Sequence, residues 1–306
     1  MPCYPMLVPL FVISSTGIYC SLFISLHTSG NNPIIMASMK TTLFAKPSEK
    51  FIFTVLLILS ASILIGWLWF TPPGVLGKAQ AIGYAVCHQI PERSFQFAGI
   101  SMPLCSRCTG MHLGALFGLL YHFWHFKKGG MPGRKVMLFL GAALLFFALD
   151  GINSFISLTP FIDPLYTPQN WLRLSSGTLL GFSISAILVP IFNQTIWADW
   201  FAEPSIKTWK QVLLIVVGSA LIIFLVATEN PLILYPLSLL SVLNLLIILT
   251  AIHTILWVLL LKKENLFLNF SQLKTYMLCG FITVIVQIAL MDFIRYQLTG
   301  TWNSFY

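Results

Sequence analysis

Residues Phe51–Thr71 read FIFTVLLILSASILIGWLWFT, twenty-one consecutive positions without a charge. As an α-helix this stretch is about 30 Å long, the thickness of a bilayer's hydrocarbon core. Working outward, comparable apolar runs recur at about 109–126, 135–157, 172–193, 211–228, 232–261 and 275–296, separated by short breaks rich in Pro, Gly, Asn and Lys. The chain has 306 residues, of which 57% are apolar and only 8% charged. An ordinary soluble domain carries roughly 25% charge, so too little is present here to clothe a water-facing surface. The expected fold is therefore all-α, a polytopic transmembrane helical bundle of seven spans. A further apolar stretch from Pro5 to His27 is a candidate eighth, although Ser14, Ser15, Thr16 and Gly17 interrupt it.

The bases set the expected orientation. Twelve of the seventeen Lys and Arg fall in alternate breaks, at Lys40, Lys46, Lys50, Lys127, Lys128, Arg134, Lys135, Lys207, Lys210, Lys262, Lys263 and Lys274. Lys78, Arg93, Arg107, Arg173 and Arg295 fall on the other side. The positive-inside bias places the Lys-rich loops in the cytoplasm and the segment from Thr71 to Cys108 outside. The formal charge of +8 is scattered between spans rather than gathered on one face, which speaks against a nucleic-acid partner and for the lipid bilayer. Three regions follow: an N-terminal extension over 1–49, a motif-bearing membrane core over 50–193 with an outer Cys/His loop at 72–108, and additional transmembrane helices over 194–306.

That outer loop holds the unusual chemistry. Cys105 and Cys108 form a C-x-x-C, and Cys87 with His88 lies seventeen intervening residues upstream. Such donors suit one tetrahedral zinc ion, either as a Cys3His site or as a three-ligand site whose open position holds an acidified water. Outside the membrane thiols also oxidise, so a disulfide staple or a redox role competes with Zn2+. The Pro-x-Cys-x-x-Cys run over 103–108 lacks the His-x-Glu partner of zinc deaminases, because Gln89 follows His88.

Other polar residues at membrane depth fall on the same side. Asp150 ends the third expected span, and an acid in an apolar run marks a site unless it is simply paired, here with Arg173, Arg107 or a metal. Asn170 and Arg173 are three apart and share a helix face, as do Asp150 and Asn153. Gly110, Gly114 and Gly118, with Gly177 and Gly181, form small-residue stripes that predict close approach of the second and fourth spans. His112 could face the thiols. His122 and His125 read as interfacial residues at the opposite end. His253, Asn244 and Gln287 read as interhelical hydrogen-bonding groups, and Asp292 with Arg295 as a local i, i+3 pair.

Cys87-His88-Gln89, Arg93-Ser94, Cys105-Ser106-Arg107-Cys108-Thr109-Gly110 with Gly114, Asp150-Gly151, and Asn170 to Arg173 with Gly177 resemble the membrane-protein family called domain of unknown function 2085. The resemblance covers roughly Phe51 to Pro190. It implies a multi-pass fold with a site marked by Cys87, His88, Cys105, Arg107, Cys108, Asp150 and Arg173, and it implies no activity. The family often has Tyr where this chain has His112. The residues leave three classes open: metal-dependent hydrolysis of a lipid-borne substrate, with Asp150 as base or ligand and Arg107 or Arg173 clamping an anion; thiol–disulfide exchange with a membrane quinone; and a transporter or structural protein with a stapled loop. No Walker loop, dinucleotide glycine motif or H-E-x-x-H is present.

Overall fold

The computed structural model describes residues 7–14, 17–24, 38–42, 48–159 and 161–302. The chain divides into two units, Met1–Val55 and Leu56–Tyr306. In the first, the backbone forms three antiparallel strands in the order β1 (Leu7–Ser14), β2 (Gly17–Ile24) and β3 (Ser38–Thr42). The candidate eighth span between Pro5 and His27 falls in part outside the described residues.

The second unit is helical. In chain order come α1 (Glu49–Phe70, which begins in the first unit), α2 (Gly74–Val86), a tiny hairpin of β4 (Gln96–Phe97) and β5 (Ile100–Ser101), and α3 (Ser106–Phe123). Then follow β6 (Lys128–Gly130), α4 (Arg134–Ile156), α5 (Asn170–Ile196), β7 (Phe201–Pro204, parallel to β6), α6 (Trp209–Ala227), α7 (Pro231–Leu260) and α8 (Phe270–Thr299). Six of these, α1 and α4 to α8, are long and apolar enough to cross a membrane. The fold is thus an all-α polytopic bundle. The second expected span corresponds to α3, eighteen residues and about 27 Å long, whose Arg107, His112, His122 and three glycines dilute its apolarity.

One element was expected as loop. The segment after Thr71 contains α2, which buries Ala79, Ala81, Gly83, Tyr84 and Ala85. Ala79 packs with Val242 and Leu245 of α7, and Ala81 and Ala85 pack with Val284 and Ile288 of α8. Apart from Tyr84 the buried residues are small, and they are nearly consecutive, so they leave no period-3.6 stripe in the sequence.

The centre is α5, 56% of whose apolar window is buried, against 11% for α1. It lies directly on α3, as the glycine stripes imply. A Cβ on Gly110 or Gly114 would overlap the carbonyls of Leu174 or Thr178, and one on Gly177 or Gly181 those of Arg107 or Met111. These glycines let two backbones touch. Gly181→Val is therefore expected to cost about 1–3 kcal/mol or more through overpacking. Gly141→Ala, whose added Cβ meets nothing within 4 Å, should be neutral or stabilise by about 0.5–1 kcal/mol. Unfolding titrations in mixed micelles would read both. Equal behaviour would refute the close-contact role.

Candidate metal centre and arginine cluster

The thiols converge because two helix ends meet. Cys87 caps the C-terminus of α2 in an extended conformation, and Cys105 is the N-cap of α3, with Cys108 in its first turn. Gln89 adopts a left-handed φ of 53° and turns the chain. Its side-chain amide donates to the carbonyls of Gln80 and Pro103, each at 2.9 Å, tying α2 to the approach into Cys105. The Cys105 amide then donates to Cys87 Sγ at 3.3 Å. The three Sγ atoms of Cys87, Cys105 and Cys108 lie within 4.8 Å of one another, and all three are free thiols. Cys87 and Cys105 are buried.

Hydrogen bonds from the Cys105 and Cys108 side chains outweigh burial and hold the Cys87 thiol down to about 2. The Cys108 thiol pulls Cys105 the same way, but the Cys87 sulfur and burial prevail and push it up to about 12. Soft thiolate donors converging this tightly fit zinc or another thiophilic ion.

His88 does not join them. The group within 4.8 Å consists of the three cysteine sulfurs, without the adjacent imidazole. Its Nδ1 accepts from the Ile90 amide at 3.0 Å, which leaves the proton of the neutral ring on Nε2. Burial lowers its pKa, the Cys87 thiolate opposes this, and Arg93, Arg107 and Arg173 lower it further. The imidazole therefore feels both the Cys87 thiolate and the three guanidinium groups.

Those groups surround Asp150, which is fully buried near the C-terminal end of α4. Arg107, from the first turn of α3, donates to Asp150 Oδ2 through Nη2 and, at 3.1 Å, through Nε. It also reaches the Asp150 carbonyl at 3.1 Å and Ser154 Oγ at 3.0 Å. Tyr166 and Ser176 hydroxyls donate to the same carboxylate at 2.9 and 3.3 Å. Arg173, in the first turn of α5, donates to Asn170 Oδ1 at 2.8 Å and Ser154 Oγ at 3.4 Å. Arg93 reaches the Ser154 carbonyl at 3.0 Å. Of the partners open to Asp150, the structure selects Arg107, and it keeps the carboxylate out of the thiol cluster.

The first turns of α3 and α5 and the last turns of α4 thus bring Arg107, Arg173 and Asp150 to one end of the bundle. Tyr166, Ser154, Ser176 and Arg93 complete the network without any sequence signal, being ordinary residues until folding gathers them. His112 is buried on α3 with Nδ1 lacking a hydrogen-bond partner among the described residues, and its carbonyl accepts from Asn244 at 2.8 Å, an interhelical bond of the expected kind. Gln287 instead faces outward. His122, in the last turn of α3, is buried, with Ser205 Oγ 2.8 Å from its Nδ1. Asp292 and Arg295 are a correction. Asp292 accepts from Trp67 Nε1 at 2.8 Å, while Arg295 donates to the carbonyls of Tyr84 and Cys87 at 2.5 and 2.6 Å.

Fold and site together define an integral membrane protein of the multi-pass helical class, with a three-thiol cluster flanked by an arginine–carboxylate network. Residues 87–187 match the family described as "Predicted membrane protein (DUF2085)", and the chain belongs to that family. An uncharacterized protein of Methanocaldococcus jannaschii is 30% identical over 119 residues, 38% of this chain and 70% of the relative. One from Methanothermobacter thermautotrophicus is 33% identical over 111 residues, 36% of this chain and 90% of the relative. No solved structure matches the chain significantly. The family match contains all three thiols, Arg93, Arg107, Asp150 and Arg173, and excludes α6 to α8.

Proposed function

We propose that this protein carries an externally facing metal centre, with zinc as the ion, held by Cys87, Cys105 and Cys108 and acting on an anionic, lipid-borne substrate. The observation that carries the reading is the convergence of three Sγ atoms within 4.8 Å from two separate helix ends. A bound zinc would supply Lewis acidity and an activated water. The chain's own residues supply the rest. Arg173 and Arg93 present positive charge beside His88, suited to a phosphate or carboxylate. Arg107 is committed to Asp150, which makes that pair a positioning element, and His88 offers its Nε2 proton to the bound anion. The excess of Lys and Arg in the opposite loops supports an external position for this end. An impermeant thiol label on Glu92→Cys, in a background lacking the native outer cysteines, should then react in intact cells and one on Lys128→Cys only after permeabilisation.

A second reading has its own support. Cys105 at a helix N-cap, Cys108 one turn on and a low-pKa Cys87 form the kind of array that exchanges disulfides. Oxidation of the Cys105–Cys108 dithiol would release two electrons and two protons to a membrane quinone. Elemental analysis of detergent-purified protein beside Cys105→Ser, Cys108→Ser separates the two. About one zinc per chain, lost in the variant, supports the metal centre. Metal-free protein whose thiols alkylate only after reductant overturns it in favour of exchange.

A further inference from the structure

Outside the family match, a cavity of about 530 Å³ lies between α1 and α8. Its walls include Trp67, Phe70, Phe293, Tyr296 and Trp302, and Asp292 stands within it. Phe70 and Phe293 are exposed at the rim, where in a bilayer they meet acyl chains. Asp292 is only 2% exposed. Its Oδ2 accepts a hydrogen bond from the Trp67 indole, whereas its buried Oδ1 has no hydrogen-bond partner among the described residues.

A buried carboxylate oxygen left without a donor costs more than a lost surface contact, so it calls for a partner. Arg295, one turn along α8, has its guanidinium over the Tyr84 ring at 3.9 Å and donates to the carbonyls of Tyr84, Cys87 and His88. Its bonds secure the turn at the end of α2 rather than Asp292 Oδ1. Those same bonds place Asp292 toward the end of the bundle that carries the thiols. Aromatic faces around an acceptor-only group favour a cation that brings N–H donors and an apolar tail. The volume is within the range of small-ligand sites.

We infer that this cavity binds an amine-headed lipid from the surrounding bilayer, with its primary ammonium on Asp292 and its chain leaving past Phe70 and Phe293. Phosphatidylethanolamine has such an ammonium, while phosphatidylcholine keeps the phosphate and chains but has no N–H to donate. The full-length protein in nanodiscs containing equal amounts of the two lipids is released into the gas phase, and the retained lipid is weighed by native mass spectrometry. Wild type should retain phosphatidylethanolamine about tenfold over phosphatidylcholine. Asp292→Asn keeps an acceptor for Trp67 but turns the open oxygen into a donor, and should bring the ratio to about one. Ala289→Phe projects a ring into the cavity with Asp292 intact and should sharply reduce retention of both. Equal retention by wild type, a preference that survives Asp292→Asn, or retention undiminished by Ala289→Phe would each overturn the assignment. The zinc content plays no part in these readouts, so this site stands or falls apart from the thiol centre.

Discussion

Arg107→Ala should destabilise the bundle by about 3–5 kcal/mol, the cost of leaving a buried charge without its partner. Asp150 is fully buried, and Arg107 gives its carboxylate two hydrogen bonds and its carbonyl a third. With the guanidinium gone, only the Tyr166 and Ser176 hydroxyls remain on the carboxylate among the described residues. The loss also unties three helices at once, since Arg107 starts α3, Asp150 and Ser154 end α4, and Ser154 accepts from Arg173 of α5. Asp150→Asn keeps the acceptor and removes the charge, so it should cost less, about 1–2 kcal/mol. The double variant Arg107→Met, Asp150→Leu should recover much of the single-variant loss, because replacing a buried pair by apolar groups is often near neutral. Unfolding in mixed micelles closes the cycle. A change below about 0.5 kcal/mol for Arg107→Ala, typical of a surface position, would show the pair to be solvated.

This network also shows how far the sequence could be read. The parity of the spans put Asp150, Arg107 and Arg173 at one end before any coordinates, because an odd number of crossings separates Lys-rich from Lys-poor breaks. The glycine spacing foretold the α3–α5 contact for an equally direct reason: only residues without a Cβ allow it. Which arginine meets Asp150 was not legible, since both Arg107 and Arg173 begin helices at that end, and helix rotation decides between them. Adjacency makes Cys87 and His88 look like joint ligands, whereas in the fold Cys87 groups with Cys105 and Cys108 and the His88 Nδ1 accepts from the Ile90 amide. Spacing misled again at Asp292 and Arg295. Their i, i+3 offset permits a local pair, yet Asp292 finds Trp67 from 225 positions away, and no local pattern encodes that.

The divergence of Cys87 and His88 carries the second large effect. If the ligands are the three thiols, His88→Ala should keep about one zinc per chain, whereas Cys87→Ser, Cys105→Ser or Cys108→Ser should each lose it. Zinc bound to the folded state alone stabilises by about 4 kcal/mol when its free concentration is a thousandfold above Kd. For a chain of this size that is a shift on the order of 10 °C in the unfolding midpoint. Chelation should remove the shift from wild type and from His88→Ala, and leave the cysteine variants unmoved. Because the His88 Nδ1 holds the Ile90 amide, His88→Ala should also lower stability by about 1 kcal/mol with or without metal. That offset separates a loop contact from a ligand. Loss of zinc in His88→Ala, with the three thiols intact, would mean that the ring rotates into the cluster and that the centre is Cys3His after all.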